Sequence, residues 1–82
     1  MFVVYILYSK KFDKIYIGFT SNISARIDSH NSPKNKGYTK RFQPWKIVYT
    51  EMFEIKQEAM KREKALKSSK GRQFIHLEIL SK

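Results

Sequence analysis

The chain predicts an α/β domain with a three-stranded antiparallel sheet flanked by helices, and three features point there. Two segments with strand character follow one another across a short polar break. A third alternating segment comes after Pro44, and helix formers fill the stretches between and beyond, giving the order β-β-α-β-α-α. At 82 residues one core is expected, so residues 1–82 are read as a single domain. A domain of this size buries only about 60% of the surface its unfolded chain exposes, so its core must be well filled. The aromatic share of 15% suits that need.

Taking the elements in order, Phe2 to Tyr8 is continuously apolar or aromatic and rich in β-branched residues, which predicts a strand buried on both faces. Ser9 to Asp13 interrupts it. From Lys14 to Phe19, Ile15, Ile17 and Phe19 alternate with Lys14, Tyr16 and Gly18, so the two strands should form a hairpin. Thr20, Ser21 or Asn22 can cap a helix carrying Ile23 and Ile27 and running to about Asn31. The next stretch, NSPKNKGYTKR, has no period and reads as an exposed cationic loop. In WKIVYTEMF, Trp45, Ile47, Tyr49 and Glu51 should face away from Lys46, Val48, Thr50 and Met52. Ile55 to Ser68 is rich in helix formers, and Gly71 supplies a stop or kink before a last helix from about Arg72 to Leu80.

Charge narrows the classes of partner. Seventeen Lys and Arg against seven Asp and Glu leave a net charge of +10, a field that concentrates polyanions. Nucleic acid is the expected partner. No segment has the apolar length of a membrane span or the paired faces of an interfacial helix, so no membrane partner is expected. The chain has no cysteine, which excludes disulfides and thiolate zinc sites and fits a cytoplasmic setting. The apolar run at the N-terminus lacks a preceding basic segment and a cleavage site, so it reads as a strand and not a signal.

Several polar residues sit where structure alone does not call for them. Glu63 falls within the stripe of Ile55, Ala59 and Leu66, an inward carboxylate that needs a cation such as Arg62 or Lys67, or a metal ion. Arg26 and His30 are four residues apart and share a helix face, where they can act on one ligand or serve an ion pair and the helix dipole. Tyr5 and Tyr16 lie on the two hairpin strands as expected cross-strand neighbours, and Gly18 permits a close approach beside them.

These residues carry a resemblance. VVYILYSKKFDKIYIGFTSN followed by ISARIDSHN resembles the GIY-YIG nuclease domain found in excinucleases and in intron-encoded homing endonucleases, and is most similar to the short stand-alone bacterial GIY-YIG proteins. Tyr5 takes the place of the first-motif tyrosine, and Tyr16-Ile17-Gly18 is the second motif. Arg26 and Glu63 stand where the family has its arginine and its metal-binding glutamate, and His30 matches a histidine found in part of the family. Val3 and Val4 replace the Gly and Ile of the first motif, and SSKGRQF lacks a late asparagine that several family nucleases carry.

The resemblance implies the GIY-YIG fold and a metal-dependent endonuclease with Tyr5, Tyr16, Arg26, His30 and Glu63 as catalytic residues. It implies one divalent ion, Mg²⁺ or Mn²⁺, on Glu63. Arg26 would hold phosphate oxygens, and Tyr16 or His30 would accept the water's proton, with Tyr5 orienting Tyr16. Lys10, Lys11, Lys14, Lys34, Lys36, Tyr38, Thr39, Lys40 and Arg41 are the expected nucleic-acid contacts, backbone-directed and without sequence readout. DNA is favoured over RNA, in repair, recombination or turnover. A non-catalytic binding module, with a protein partner supplying specificity, is the competing expectation.

Overall fold

The computed structural model describes residues 1–34 and 38–80, the side chain of Tyr38 excepted. Three strands form one antiparallel sheet in the order β2-β1-β3: β1 (Phe2–Ser9), β2 (Lys14–Thr20) and β3 (Lys46–Phe53). Helix α1 (Ile23–Asn31) follows β2, and the one-turn helix α2 (Tyr38–Arg41) precedes β3. Helices α3 (Lys56–Leu66) and α4 (Ser69–Phe74) come next, and a π-helical segment (Ile75–Leu80) completes the described chain.

The central strand carries the alternation that organises the molecule. Val4 and Ile6 point to one face, where they join Ile17, Ala59, Leu66 and Ile75 in the main apolar core under α3, α4 and the π-helical segment. Tyr5 and Leu7 point to the other face and meet Trp45, with Tyr16, Ile23, Ile27 and Phe42 packed around them. Burial of β1 on both faces matches the sequence reading, since Val4, Tyr5, Ile6 and Leu7 are all buried.

Four elements differ from the sequence reading. The alternation of β3 is broken because Ile6 pairs with Tyr49 and Leu7 with Ile47, leaving Val48 as an extra residue in a bulge. Trp45 and Ile47 therefore face the Tyr5 side, whereas Tyr49 joins the main core with Val48 and Phe53. Strict period-two reading would have kept Tyr49 with Trp45, because a bulge leaves no mark in hydrophobic spacing.

Ile55 is the second departure. It is the extended N-cap of α3 (φ −110°, ψ 128°) and is 52% exposed, so the buried stripe of that helix is Ala59 and Leu66 alone. Thirdly, α4 starts earlier than expected because the Ser68 side chain accepts from the Gly71 N–H. Gly71 lies inside α4 as a contact residue, and any Cβ there would run into the carbonyl oxygens of Ala65 and Leu66. Fourthly, the stretch read as an exposed loop contains α2, and its Thr39 is buried. The cap of α1 does follow expectation, with Asn22 accepting from the Ala25 N–H at 3.1 Å.

Candidate active site

The register of the hairpin places the tyrosines. Tyr5 pairs with Gly18 and Tyr16 with Leu7, so the two tyrosines share a face as diagonal neighbours instead of standing directly opposite. Their ring centroids are 6.3 Å apart. Gly18 makes this possible: a Cβ there would lie 2.6 Å from the Tyr5 hydroxyl oxygen, 2.9 Å from its Cζ and 3.2 Å from a Tyr16 ring carbon. The Tyr16-Ile17-Gly18 triplet is thus a spatial unit. Its tyrosine and glycine are on one face by period two, and the glycine leaves room for the hydroxyl end of Tyr5.

Behind Tyr5 lies a polar chain inside the second core. The Tyr5 hydroxyl and His30 Nε2 are hydrogen-bonded at 3.0 Å, and His30 Nδ1 and Thr39 Oγ1 at 3.0 Å. All three residues are buried. His30 also lies 4.7 Å, centroid to centroid, from the Tyr16 ring. Burial, with the Arg26 charge adding to it, holds the His30 imidazole below its ordinary 6.5, so it is neutral near pH 7. Burial first, then the Tyr16 oxygen, raise the Tyr5 hydroxyl to about 12 against the opposing pull of the Arg26 guanidinium. Tyr5 therefore keeps its proton at neutral pH.

The chain is fixed by the segment before β3. Trp45 Nε1 donates to the Thr39 carbonyl at 2.6 Å, and the Trp45 N–H donates to Asn31 Oδ1 at 2.7 Å. Gln43 Nε2 donates to the His30 and Ser32 carbonyls, both at 2.8 Å, which satisfies carbonyls at the C-terminal end of α1.

Tyr5, Tyr16, Gly18, Arg26 and Glu63 line one open cleft of about 380 Å³, together with Lys56, Phe2 and the Phe19–Ser21 turn. Residues from β1, β2, α1 and α3 converge there, so four of the five expected catalytic side chains meet. His30 does not line the cleft but stands behind Tyr5, where it can orient that hydroxyl. Glu63 is partly buried, with 22% of its side chain exposed, and its one ion pair among the described residues is Lys67 Nζ at 3.5 Å. Arg62, the other cation considered for it, is engaged elsewhere, donating from Nε and Nη2 to Glu51 at 2.9 Å.

The expected nucleic-acid contacts divide. Lys10, Lys11, Lys14, Lys34, Lys40 and Arg41 are exposed. Thr39 is not available on that surface: its side chain is buried against His30 because the α2 turn folds inward under Trp45. Lys36 and the side chain of Tyr38 lie outside the described residues. Sequence reasoning passed over Thr39 and Trp45 as parts of the site's support, and Lys56 as a lining residue. Lys56 had a legible signal, because it precedes Glu63 by seven residues and so shares its helix face two turns away.

The GIY-YIG catalytic domain family matches residues 1–75. The chain belongs to the GIY-YIG family. It is 44% identical over 74 residues to a UPF0213 protein of Staphylococcus haemolyticus, covering 90% of this chain and 89% of that one. A UPF0213 protein of Staphylococcus aureus is 41% identical over 54 residues, 66% of each chain. The solution NMR structure of a UPF0213 protein from Bacillus halodurans is similar at 36% identity and a TM-score of 0.55, covering 95% of this chain and 86% of that one. A nuclease-type role and nucleic-acid binding go with membership of this GIY-YIG family, whose nucleases use a divalent metal ion.

The donor set fits one such ion. Among the described residues no three acidic or imidazole side chains cluster to enclose a metal. A single carboxylate facing an open cleft matches the habit of Mg²⁺ and Mn²⁺, which bind through one or two protein oxygens and keep much of their water.

Proposed function

We propose that this domain is a metal-dependent endonuclease that hydrolyses nucleic-acid phosphodiester bonds, DNA before RNA, in cytoplasmic repair, recombination or turnover. The observation that carries it is the convergence of Tyr5, Tyr16, Arg26 and Glu63 on one solvent-open cleft. Arg26 binds and neutralises the non-bridging oxygens of the scissile phosphate, a task suited to its planar fork. Tyr16 takes the proton of the attacking water or passes it on. Tyr5, protonated and held by His30, orients the water or Tyr16 by hydrogen bonding. Glu63 holds the divalent ion, which when bound supplies charge relief to the phosphoryl oxygens. Lys56 adds a second cation to the cleft wall, two helix turns from Glu63.

Incubation with labelled linear, nicked, flapped and branched substrates, in Mg²⁺, Mn²⁺ or EDTA, tests this reading. Metal-dependent product from at least one substrate is expected, and metal-independent or absent cleavage across the panel overturns it. The Lys67 ammonium beside Glu63 favours a second reading, a binding module with an occupied carboxylate that recruits a partner for specificity. That reading expects tight binding with no cleavage in any metal.

A further inference from the structure

A second cleft of about 650 Å³ adjoins the first along β2. Asp13 to Ile17 form one wall, and Lys67, Arg72 and His76 of the C-terminal helices form the other. Tyr16 lines both clefts, and the Glu63–Lys67 ion pair joins a residue of one to a residue of the other. The two clefts therefore meet at the candidate catalytic tyrosine and glutamate. Among the described residues β2 pairs with β1 alone, so both clefts run beside an edge of the sheet.

The charge in this groove is one-sided. Lys14, Lys67 and Arg72 line it against a single carboxylate, and that carboxylate, Asp13, already accepts from the Tyr8 hydroxyl at 2.8 Å. The Lys14 ammonium also lies 5.6 Å from the centroid of the Phe42 ring, which restrains a long side chain. The groove takes four residues of β2, Lys14 to Ile17, about 13 Å at the usual rise. One strand of a duplex presents a phosphate about every 3.4 Å of axis, so several can lie along that length.

We propose that this groove is a phosphate-backbone site that carries the substrate strand away from the scissile position, with Lys14 and Arg72 as its outer contacts and Lys67 at the junction. It rests on the nucleic-acid reading above and gives the strand a path: along the β2 edge toward α4. Since Lys67 faces Glu63 at the junction, a phosphate seated there draws the ammonium toward the groove and frees the carboxylate.

The test is anisotropy of a labelled duplex in EDTA, between about 50 and 200 mM salt, with two double variants of equal charge. Lys14→Gln/Arg72→Gln removes two groove cations, both exposed. Lys61→Gln/Lys64→Gln removes two from the outer side of α3. The groove variant should lose tenfold or more in low-salt affinity, with a salt slope shallower by about two. The control should change less than threefold, and both should melt within about 2 °C of wild type. Equal weakening by the two variants overturns the proposal, as does a groove variant that binds duplex normally but loses polyglutamate, which would mark an acidic protein partner. Cleavage plays no part in this readout. A domain that binds through the groove without cutting leaves the proposal standing and removes only the nuclease reading.

Discussion

The two faces of the central strand do opposite work with neighbouring residues. On one face Val4 and Ile6 enter a core whose buried side chains are all apolar, and on the other Tyr5 enters a core threaded by hydroxyls and an imidazole. The apolar face is tied down by shape and burial. The other is held in part by buried polar groups that meet partners, Tyr5, His30 and Thr39 in series, because an unmatched one costs about 1–3 kcal/mol. Stability should therefore be concentrated on the first face and function on the second.

Truncation on the apolar face should give the largest effect on stability. Ile6→Ala at a fully buried site should cost about 2–5 kcal/mol, measured by chemical denaturation, with cleavage by the remaining folded protein near wild type. A loss of activity beyond the loss of folded protein would show that the faces are not separable.

Gly18→Ala comes next, acting where the faces of the hairpin are tightest. The new methyl would sit against the Tyr5 hydroxyl and ring, which are buried and cannot swing away freely. A destabilisation of about 1–3 kcal/mol is expected together with a cleavage loss of ~100-fold, since the displaced hydroxyl belongs to the site. Wild-type cleavage in this variant would show that the position of Tyr5 does not matter.

Tyr5→Phe sharpens the same point at smaller scale. It keeps the ring and removes the hydroxyl bonded to His30, and cleavage should fall roughly tenfold while stability drops by about 1 kcal/mol.

The smallest effect is a pH dependence. His30 has a folded pKa below its unfolded 6.5, so the unfolded state binds the proton more readily. Its contribution is intact above pH 6.5 and is lost as pH falls through the folded value. The melting-temperature gap between wild type and His30→Gln should narrow from pH 7.5 to pH 5, and a widening gap would contradict a neutral buried imidazole.

What the sequence made legible follows the same division. Burial of β1 on both faces, the hairpin, a cap among Thr20, Ser21 and Asn22, and the meeting of Tyr5, Tyr16, Arg26 and Glu63 in one cleft were readable because period, capping chemistry and ordered motifs are local signals. The bulge at Val48 was not, because it depends on how β3 meets β1 and reverses the face of Tyr49 without altering composition. Thr39 read as a loop residue beside lysines, yet its hydroxyl meets a histidine nine positions away only after Trp45 and Gln43 pull the segment inward. Nor did spacing show the groove, whose cations come from β2, the end of α3 and α4 and become neighbours only in the fold.

The central claim is that the cleft is a metal-dependent catalytic site, and Glu63→Gln tests it most directly. The change keeps the size and hydrogen-bonding capacity of the side chain and removes the charge that attracts a cation. Cleavage should fall by ~100-fold or more in Mg²⁺ or Mn²⁺, with the melting temperature within about 2 °C of wild type, because the ion pair lost to Lys67 is long and only partly buried. Duplex binding in EDTA should be unchanged or slightly tighter, one negative charge having left a basic surface. A variant that melts several degrees lower yet still cuts at the wild-type rate would make Glu63 a structural partner of Lys67 and contradict the account.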